Sequence, residues 1–451
     1  MLKILLINKG GGYLFLHVFM FLMLTAGFNL GAAMVMLIVC VWTLFVAGTK
    51  ALTETGYLAT AFLTIYSFAV PLAVFLFDGV PLLNGTPHGE TLNSPYLNAQ
   101  MMMLYALACI GINLGSIVAA HFFDRGGKTL NVRVYGVSLS LVIVPCVGVV
   151  VFGFLNVDWG KLATTYDVGG AFRFIFGGLY MLIFLFLIYY VQRLFQYGHL
   201  PRWVVVVLIV SIFGLLVLGV RQLAIWFFSG VILLRTHASY SGMPHLRVKV
   251  SRLYLFVALV LCVGGIVSGY RANREVSLDR GVFDIAWYAL LWETGYTYLG
   301  GLNVVALVEK GQSHLGASLF DFFGLMVPSF LWEGRSGLMQ FKIFVEDSAL
   351  DTLGTVHILG ELYYSTGSYW GLLVFYFVFY FIVDSIVLCL KKKDYRFYMP
   401  LIVYAQIFLC LYLVRGGAAS AMKLLVMYGG GVMLCLCCAS IIARRGNYYA
   451  Q

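Results

Sequence analysis

Long apolar stretches separated by short polar segments run along almost the whole chain. Uninterrupted apolar runs such as 203–218 and 369–390 approach the roughly 20 residues with which an α-helix crosses a bilayer. A transmembrane β-strand would instead alternate apolar and polar positions over roughly 10 residues. The pattern therefore predicts about twelve helical spans. They lie near 11–27, 30–47, 57–77, 99–122, 134–155, 171–191, 203–218, 221–235, 252–270, 369–390, 397–414 and 418–443.

One long segment interrupts this series between the ninth and tenth spans. Residues 271–368 include two stretches, 282–308 and 315–332, that are rich in aromatic residues and leucine. Such stretches favour helices that lie on the membrane surface or enter it without crossing. The predicted fold is therefore an all-α, polytopic transmembrane bundle. It forms a single membrane domain over 1–451, with a large, partly helical loop over 271–368 that contains interfacial helices.

Composition and charge agree with this architecture and orient it. Of the 451 residues, 62% are hydrophobic and 11% charged, and the mean hydropathy is +0.93. A soluble domain needs more polar residues to cover its surface. The net charge of +10 does not indicate nucleic acid here, because most Lys and Arg residues lie in loops on one side of the predicted spans. The positive-inside rule makes that side cytoplasmic. It places both termini in the cytoplasm and the 271–368 loop in the periplasm of a bacterial inner membrane.

Several arginines break this charge rule, because they lie at the predicted outer ends of spans. They are Arg221, Arg271, Arg274 and Arg415. Such side chains can anchor to lipid headgroups, but their number on distant spans favours a shared anion site. A guanidinium can bind phosphate through two parallel hydrogen bonds. Arg415 also precedes Gly416 and Gly417, which would let backbone N–H groups approach the same anion.

The long loop carries candidate acid–base groups. His357 and Glu361 are spaced to share one helix face, as a general base and its orienting carboxylate or as a surface pair. Glu293 lies in an apolar stretch, where burial would raise its pKa and suit it to proton abstraction, although a structural role is equally compatible. Trp332 and Arg335 end an aromatic turn that could bind sugar and phosphate or anchor the loop at the interface.

Other motifs are absent from the sequence. It has no phosphate-binding P-loop and no dinucleotide-binding glycine pattern, so neither a nucleotide-driven pump nor a nucleotide cofactor is indicated. It also lacks His-Glu-x-x-His, and we predict no metal site. All of the cysteines fall inside predicted spans, which argues against a disulfide framework in the loop.

With these positions in view, the chain resembles the Wzy-type O-antigen and repeat-unit polymerases and, more distantly, the O-antigen ligases. The topology covers nearly the whole chain, whereas the matched motifs cover a small part of it. The motifs are Gly219-Val-Arg221 between two spans, the string from Val327 to Arg335, and the series His357, Glu361, Gly367 and Gly371. The ligase motif usually has Asn after its His, and this chain has Ile358 there.

The resemblance implies a metal-independent membrane glycosyltransferase of the C superfamily. Its donor would be a growing glycan on undecaprenyl diphosphate, and its acceptor a lipid-linked repeat unit whose sugar hydroxyl attacks the donor. A chain-length-regulating co-polymerase and membrane lipids would be its partners. His357 or Glu293 would deprotonate the acceptor, with Glu361 orienting His357. The leaving diphosphate would be stabilised by Arg221, Arg271, Arg274, Arg415 and Arg335. Sugar faces would stack on Trp287, Tyr296, Tyr298 and Trp332.

Two alternatives stay open at this stage. An O-antigen ligase shares the topology and the loop, and sequence separates it poorly from a polymerase. A lipid-linked oligosaccharide flippase would have a similar number of spans. Flippases typically lack a single long outer loop and carry their charges near the midplane of the membrane. The outer position of the arginines therefore favours an enzyme.

Overall fold

The computed structural model describes residues 9–43, 53–77, 79–80, 87–123, 155, 184–191, 194, 221–241, 243–246, 282–327, 331–348 and 356–431. The regular structure in these ranges is helical throughout. In chain order the α-helices are α1 (Lys9–Thr25), α2 (Asn29–Val41), α3 (Thr55–Ser67), α4 (Ala69–Leu76), α5 (Pro87–Leu92), α6 (Pro95–Phe123), α7 (Arg221–Tyr240), α8 (Val282–Val308), α9 (Ala317–Met326), α10 (Gln340–Asp347), α11 (Ile358–Thr366), α12 (Tyr369–Gln406), α13 (Leu413–Gly416) and α14 (Ala418–Leu424). A 3-10 helix, Glu333–Leu338, connects α9 to α10.

Among the described helices, α6 and the Tyr369–Lys392 part of α12 are long and apolar enough to cross a membrane. Helices α3 and α4 together make one further candidate, bent by 45°. Pro71 accounts for the bend, because its ring excludes the carbonyl group of Ser67 four residues earlier. The described chain is thus all-helical and has helices that suit a membrane. The predicted spans 203–218 and 252–270, and nearly all of 134–155, lie outside the described residues.

Helix α12 contains the stretch where the sequence predicts a turn between two spans. Helical structure is continuous from Tyr369 to Gln406, yet the Tyr380 hydroxyl donates to the Leu409 carbonyl over 2.9 Å. In a straight helix these residues, 29 positions apart, would be separated by about 43 Å. The chain therefore reverses its direction between them, as the predicted loop at 391–396 requires.

Helix α8 packs within the bundle, and the prediction that it lies on the membrane surface or enters the membrane stays a prediction. Its C-terminal half is in the core, with Tyr298 and Leu302 fully buried, because α3, α4 and α6 pack against the apolar residues of this helix. A Cβ atom on Gly360 of α11 would lie only 2.9 Å from the Cα atom of Gly301 of α8. The two glycines let the helices approach closely. This contact fixes His357, directly before α11.

The two ends of α3 define the two ends of the bundle. Near the start of α3, the Lys391 ammonium group donates to the Thr53 carbonyl over 2.8 Å. At its other end, Ser67 contacts His357. We call these the Lys391 end and the His357 end.

Candidate functional site

His357 lies immediately before α11, where its side chain caps the helix. Its Nδ1 atom accepts a hydrogen bond from the Leu359 N–H over 3.3 Å. Its Nε2 atom lies 3.2 Å from the Ser67 hydroxyl oxygen. Since Nδ1 accepts, the proton of the neutral ring is on Nε2 and is donated to Ser67. Burial lowers the pKa of His357 to about 3. The imidazole is therefore neutral, with both nitrogen atoms engaged.

Close packing around His357 excludes solvent. A Cβ atom on Gly301 would lie 2.7 Å from the Cβ atom of His357. The Tyr298 ring meets the imidazole edge-on, with ring centroids 5.9 Å apart. Tyr298 is 1% exposed, and its hydroxyl has no hydrogen-bond partner among the described residues. The predicted stacking of a sugar on Tyr298 does not fit this burial, because both faces of the ring are covered by protein.

Glu361 connects the long loop to the turn that follows Arg415. Its two carboxylate oxygens each lie 3.2 Å from the Ala418 N–H, at the start of α14. Gly417 has a φ of 80°, which a side chain would strain, and a Cβ atom there would overlap the carboxylate. The backbone groups that we predicted would approach a phosphate thus bind a carboxylate of the same chain. An anion at a helix N-terminus is favourable for the same electrostatic reason.

Glu361 and His357 do not pair with each other, which differs from the predicted orienting role of Glu361. His357 has extended backbone angles, φ −64° and ψ 134°. The two residues therefore do not have the i, i+4 geometry of a continuous helix. Each side chain points to its own partner, His357 to Ser67 of α3 and Glu361 to Ala418 of α14. Together they hold α11 between α3 and α14.

A second buried acid, Asp321 in α9, is part of the same end of the bundle. Its carboxylate accepts hydrogen bonds from the N–H groups of Phe341 over 2.9 Å and Lys342 over 3.1 Å, at the start of α10. Burial raises the pKa of Asp321 to about 6 and that of Glu361 to about 7. The two charges repel each other. Among the described residues, no three His, Cys, Asp or Glu side chains are grouped as metal ligands.

The predicted anion-binding residues are placed only in part. Arg335 is half-buried in the 3-10 helix and donates from Nη1 to the Val327 carbonyl. Arg415 lies in α13 and Arg221 begins α7, and both side chains lie outside the description. Arg271 and Arg274 are outside the described residues. The structure therefore brings the backbone around Arg415 next to the His357 motif and leaves the predicted arginine cluster untested.

The other predicted site residues lie in α8 and in the turn before the 3-10 helix. Trp332 is 45% exposed and remains open to a ligand or to lipid. Glu293, Trp287 and Tyr296 lie in α8, and their side chains are outside the description. Their predicted roles stay predictions.

The prediction missed three polar residues at this end. The sequence carried a signal for Asp321, which is a single acid within the apolar run Ala317–Met326. Lys423 had a comparable signal, since it is a single cation inside the predicted span 418–443. Ser67 had none, because only the fold shows that it faces His357.

Comparison with known protein families, with curated proteins and with solved structures finds no match to this chain.

Proposed function

We propose that this chain is a membrane glycosyltransferase that polymerises undecaprenyl-diphosphate-linked oligosaccharide repeat units into O-antigen-type polysaccharide. The reaction would take place at the periplasmic face of the bacterial inner membrane, at the His357 end of the bundle. One observation supports this most directly. The Glu361 carboxylate binds the Ala418 N–H, so the loop motif around His357 lies against the turn that follows Arg415. A predicted diphosphate-binding residue and the loop motif that carries the resemblance are thereby adjacent along the backbone.

The proposed reaction needs positively charged side chains, rather than a metal ion, around the leaving group. The acceptor hydroxyl oxygen forms a bond to the anomeric carbon of the donor. The bond from that carbon to the diphosphate breaks, and the lipid diphosphate leaves with the electron pair. Fixed cations lower the energy of the negative charge that develops. Arg415 is the candidate for this role at the His357 end, together with Arg221, Arg271 and Arg274 from the sequence.

The hydroxyl proton requires an acceptor. The geometry argues against His357, which leaves Glu293 of the two predicted bases. Both nitrogen atoms of His357 are engaged, and its surroundings are closed to a sugar. We assign His357 and Glu361 to positioning. They hold α11 against α3 and α14 and thus keep the Arg415 turn in place.

The diphosphate assignment is tested in cells by replacing Arg415 with Ala. We expect long glycan chains to disappear, while protein level and single-repeat glycan stay normal. Lys342→Ala is the control, because this lysine of the long loop is 57% exposed and pairs with Glu346 on the surface. A normal ladder of chain lengths in Arg415→Ala would contradict the assignment.

The base assignment is tested separately with Glu293→Gln and His357→Ala in isolated membranes. We expect Glu293→Gln to lower the polymerisation rate in membranes that retain a folded protein. His357→Ala should instead lower stability together with activity. If Glu293→Gln polymerises at the normal rate, the carboxylate is not the base.

The glycan profile of a strain that lacks the protein distinguishes the alternatives. A single capped repeat supports the polymerase. Free lipid-linked polymer would identify a ligase, and repeat units trapped on the cytoplasmic side would identify a flippase.

A further inference from the structure

Helix α9 has its polar residues inside and its large apolar residues outside. Ser318 and Asp321 are 7% and 6% exposed, whereas Leu319 and Phe323, on the opposite face, are 58% and 52% exposed. In water this arrangement would be unfavourable, because it buries a carboxyl group and exposes large apolar side chains. It is favourable when the surroundings are hydrocarbon, where polar groups turn inward. The outer face of α9 therefore suits contact with lipid.

This face continues into the turn after α9. Leu331 and Trp332 are 68% and 45% exposed, and Leu315 before the helix is 77% exposed. A Cβ atom on Gly324 would lie 3.2 Å from the Arg335 carbonyl oxygen, so the turn packs closely on α9. We define the apolar edge as the following exposed residues: Leu315, Leu319, Phe323, Leu331 and Trp332.

Two cations belong to the elements that pack on α9. Arg335 belongs to the 3-10 helix and Lys423 to α14, and both of these elements pack on α9. The two side chains are half-buried and close enough to repel each other. No carboxylate of the described residues pairs with either of them. The acids of the neighbouring helices, Asp321 and Glu361, accept hydrogen bonds from backbone N–H groups instead.

We infer that Arg335 and Lys423 bind the phosphate of an anionic glycerophospholipid of the surrounding bilayer, whose acyl chains lie along the apolar edge. Charge complementarity favours this ligand, because a single phosphate offsets the repulsion between the two cations. Its acyl chains would cover the exposed apolar side chains. The inference concerns the membrane around the protein. It does not depend on the proposed glycosyltransferase activity.

The test uses the full-length protein in nanodiscs of phosphatidylcholine with a minor fraction of phosphatidylglycerol. Native mass spectrometry after release counts the lipids that stay bound. We expect the wild type to retain phosphatidylglycerol selectively. Each of Arg335→Gln and Lys423→Gln should weaken its retention about fivefold. Lys423→Arg should preserve it, which shows that loss in Lys423→Gln is not misfolding. Lys342→Gln, a control on the same loop, should bind normally.

A second measurement locates the acyl chains. Brominated phosphatidylglycerol should quench the fluorescence of Trp332, which is identified as the part of the signal that is lost in Trp332→Phe. The quenching should be weaker in the Lys423→Gln variant. Equal retention of phosphatidylcholine and phosphatidylglycerol would overturn the inference. So would unchanged retention in both Gln variants, a stable dimer without bound lipid, or preferential displacement of phosphatidylglycerol by undecaprenyl phosphate. The last two results would assign the surface to a second copy or to a substrate lipid.

Discussion

Replacing Glu361 by Gln probes the carboxylate that joins α11 to α14. Burial raises the pKa of this group from an ordinary value of 4.5 to about 7. At about 1.4 kcal/mol for each pH unit, the difference corresponds to about 3 kcal/mol of folding free energy. The side chain is only 4% exposed, so little solvent screening reduces that value.

The sign follows from which state holds the proton more tightly. The folded chain binds the Glu361 proton more tightly than the unfolded chain does. The stability that this proton contributes is complete below about pH 4.5, and it is lost as the pH rises through about 7. The E361Q variant has no titratable group at this position and should lose that part of the pH dependence. The variant also lacks one acceptor oxygen, which lowers its stability by about 1–3 kcal/mol at every pH. The test is therefore the slope of the free energy of unfolding against pH, not its absolute value.

Denaturation of the detergent-solubilised protein, followed by tryptophan fluorescence between pH 4.5 and 8, measures this slope. We expect the wild type to lose about 3 kcal/mol more than E361Q over this range. Glu346→Gln is the matched control, because the Glu346 side chain is 63% exposed and forms only a surface pair with Lys342. Parallel loss of stability in the wild type and E361Q would refute the reasoning.

Three further changes can be measured by the same denaturation assay. Gly417→Ala should lower stability by about 1–3 kcal/mol from backbone strain alone, whereas Gly431→Ala, where a Cβ atom meets open space, should not. An unchanged midpoint for Gly417→Ala would show that the turn relaxes. Ser67→Ala should destabilise by about 1–3 kcal/mol, because Nε2 of His357 loses its partner; a neutral result would mean that water replaces the hydroxyl. Tyr298→Phe removes a buried hydroxyl without a described partner, so stability should stay the same or rise, and a large loss would reveal a missed hydrogen bond.

Hydropathy predicted the long apolar helices well where one apolar run makes one helix. The predicted spans 99–122 and 369–390 correspond to Pro95–Phe123 and Tyr369–Lys392. It does not decide between the two environments for α8, since an apolar helix in a protein core has the same composition as one at a membrane interface. It also did not show the bend between α3 and α4, although Pro71 was its visible cause.

The candidate site was only partly predictable because its contacts join distant parts of the chain. His357 and Glu361 stand out in the sequence, but their partners, Ser67 and Ala418, are 290 and 57 positions away. Spacing within one helix suggested a pair, and the fold gave each residue a separate helix to contact. The role of Lys423 depends on its proximity to Arg335. No local sequence pattern predicts that proximity.

Some helices are capped by side chains that belong to other helices, and this has a consequence for the order of assembly. Glu361 and Asp321 come before the helices that they cap, α14 and α10, so each carboxylate is already synthesised when its helix emerges. Helix α3 is the opposite case, because the N–H of Gly56 in its first turn bonds to Asp384 of α12. The Gly56 amide can reach this partner only after most of the chain has been made. Helix α12 therefore completes the capping of a helix that is synthesised near the start of translation.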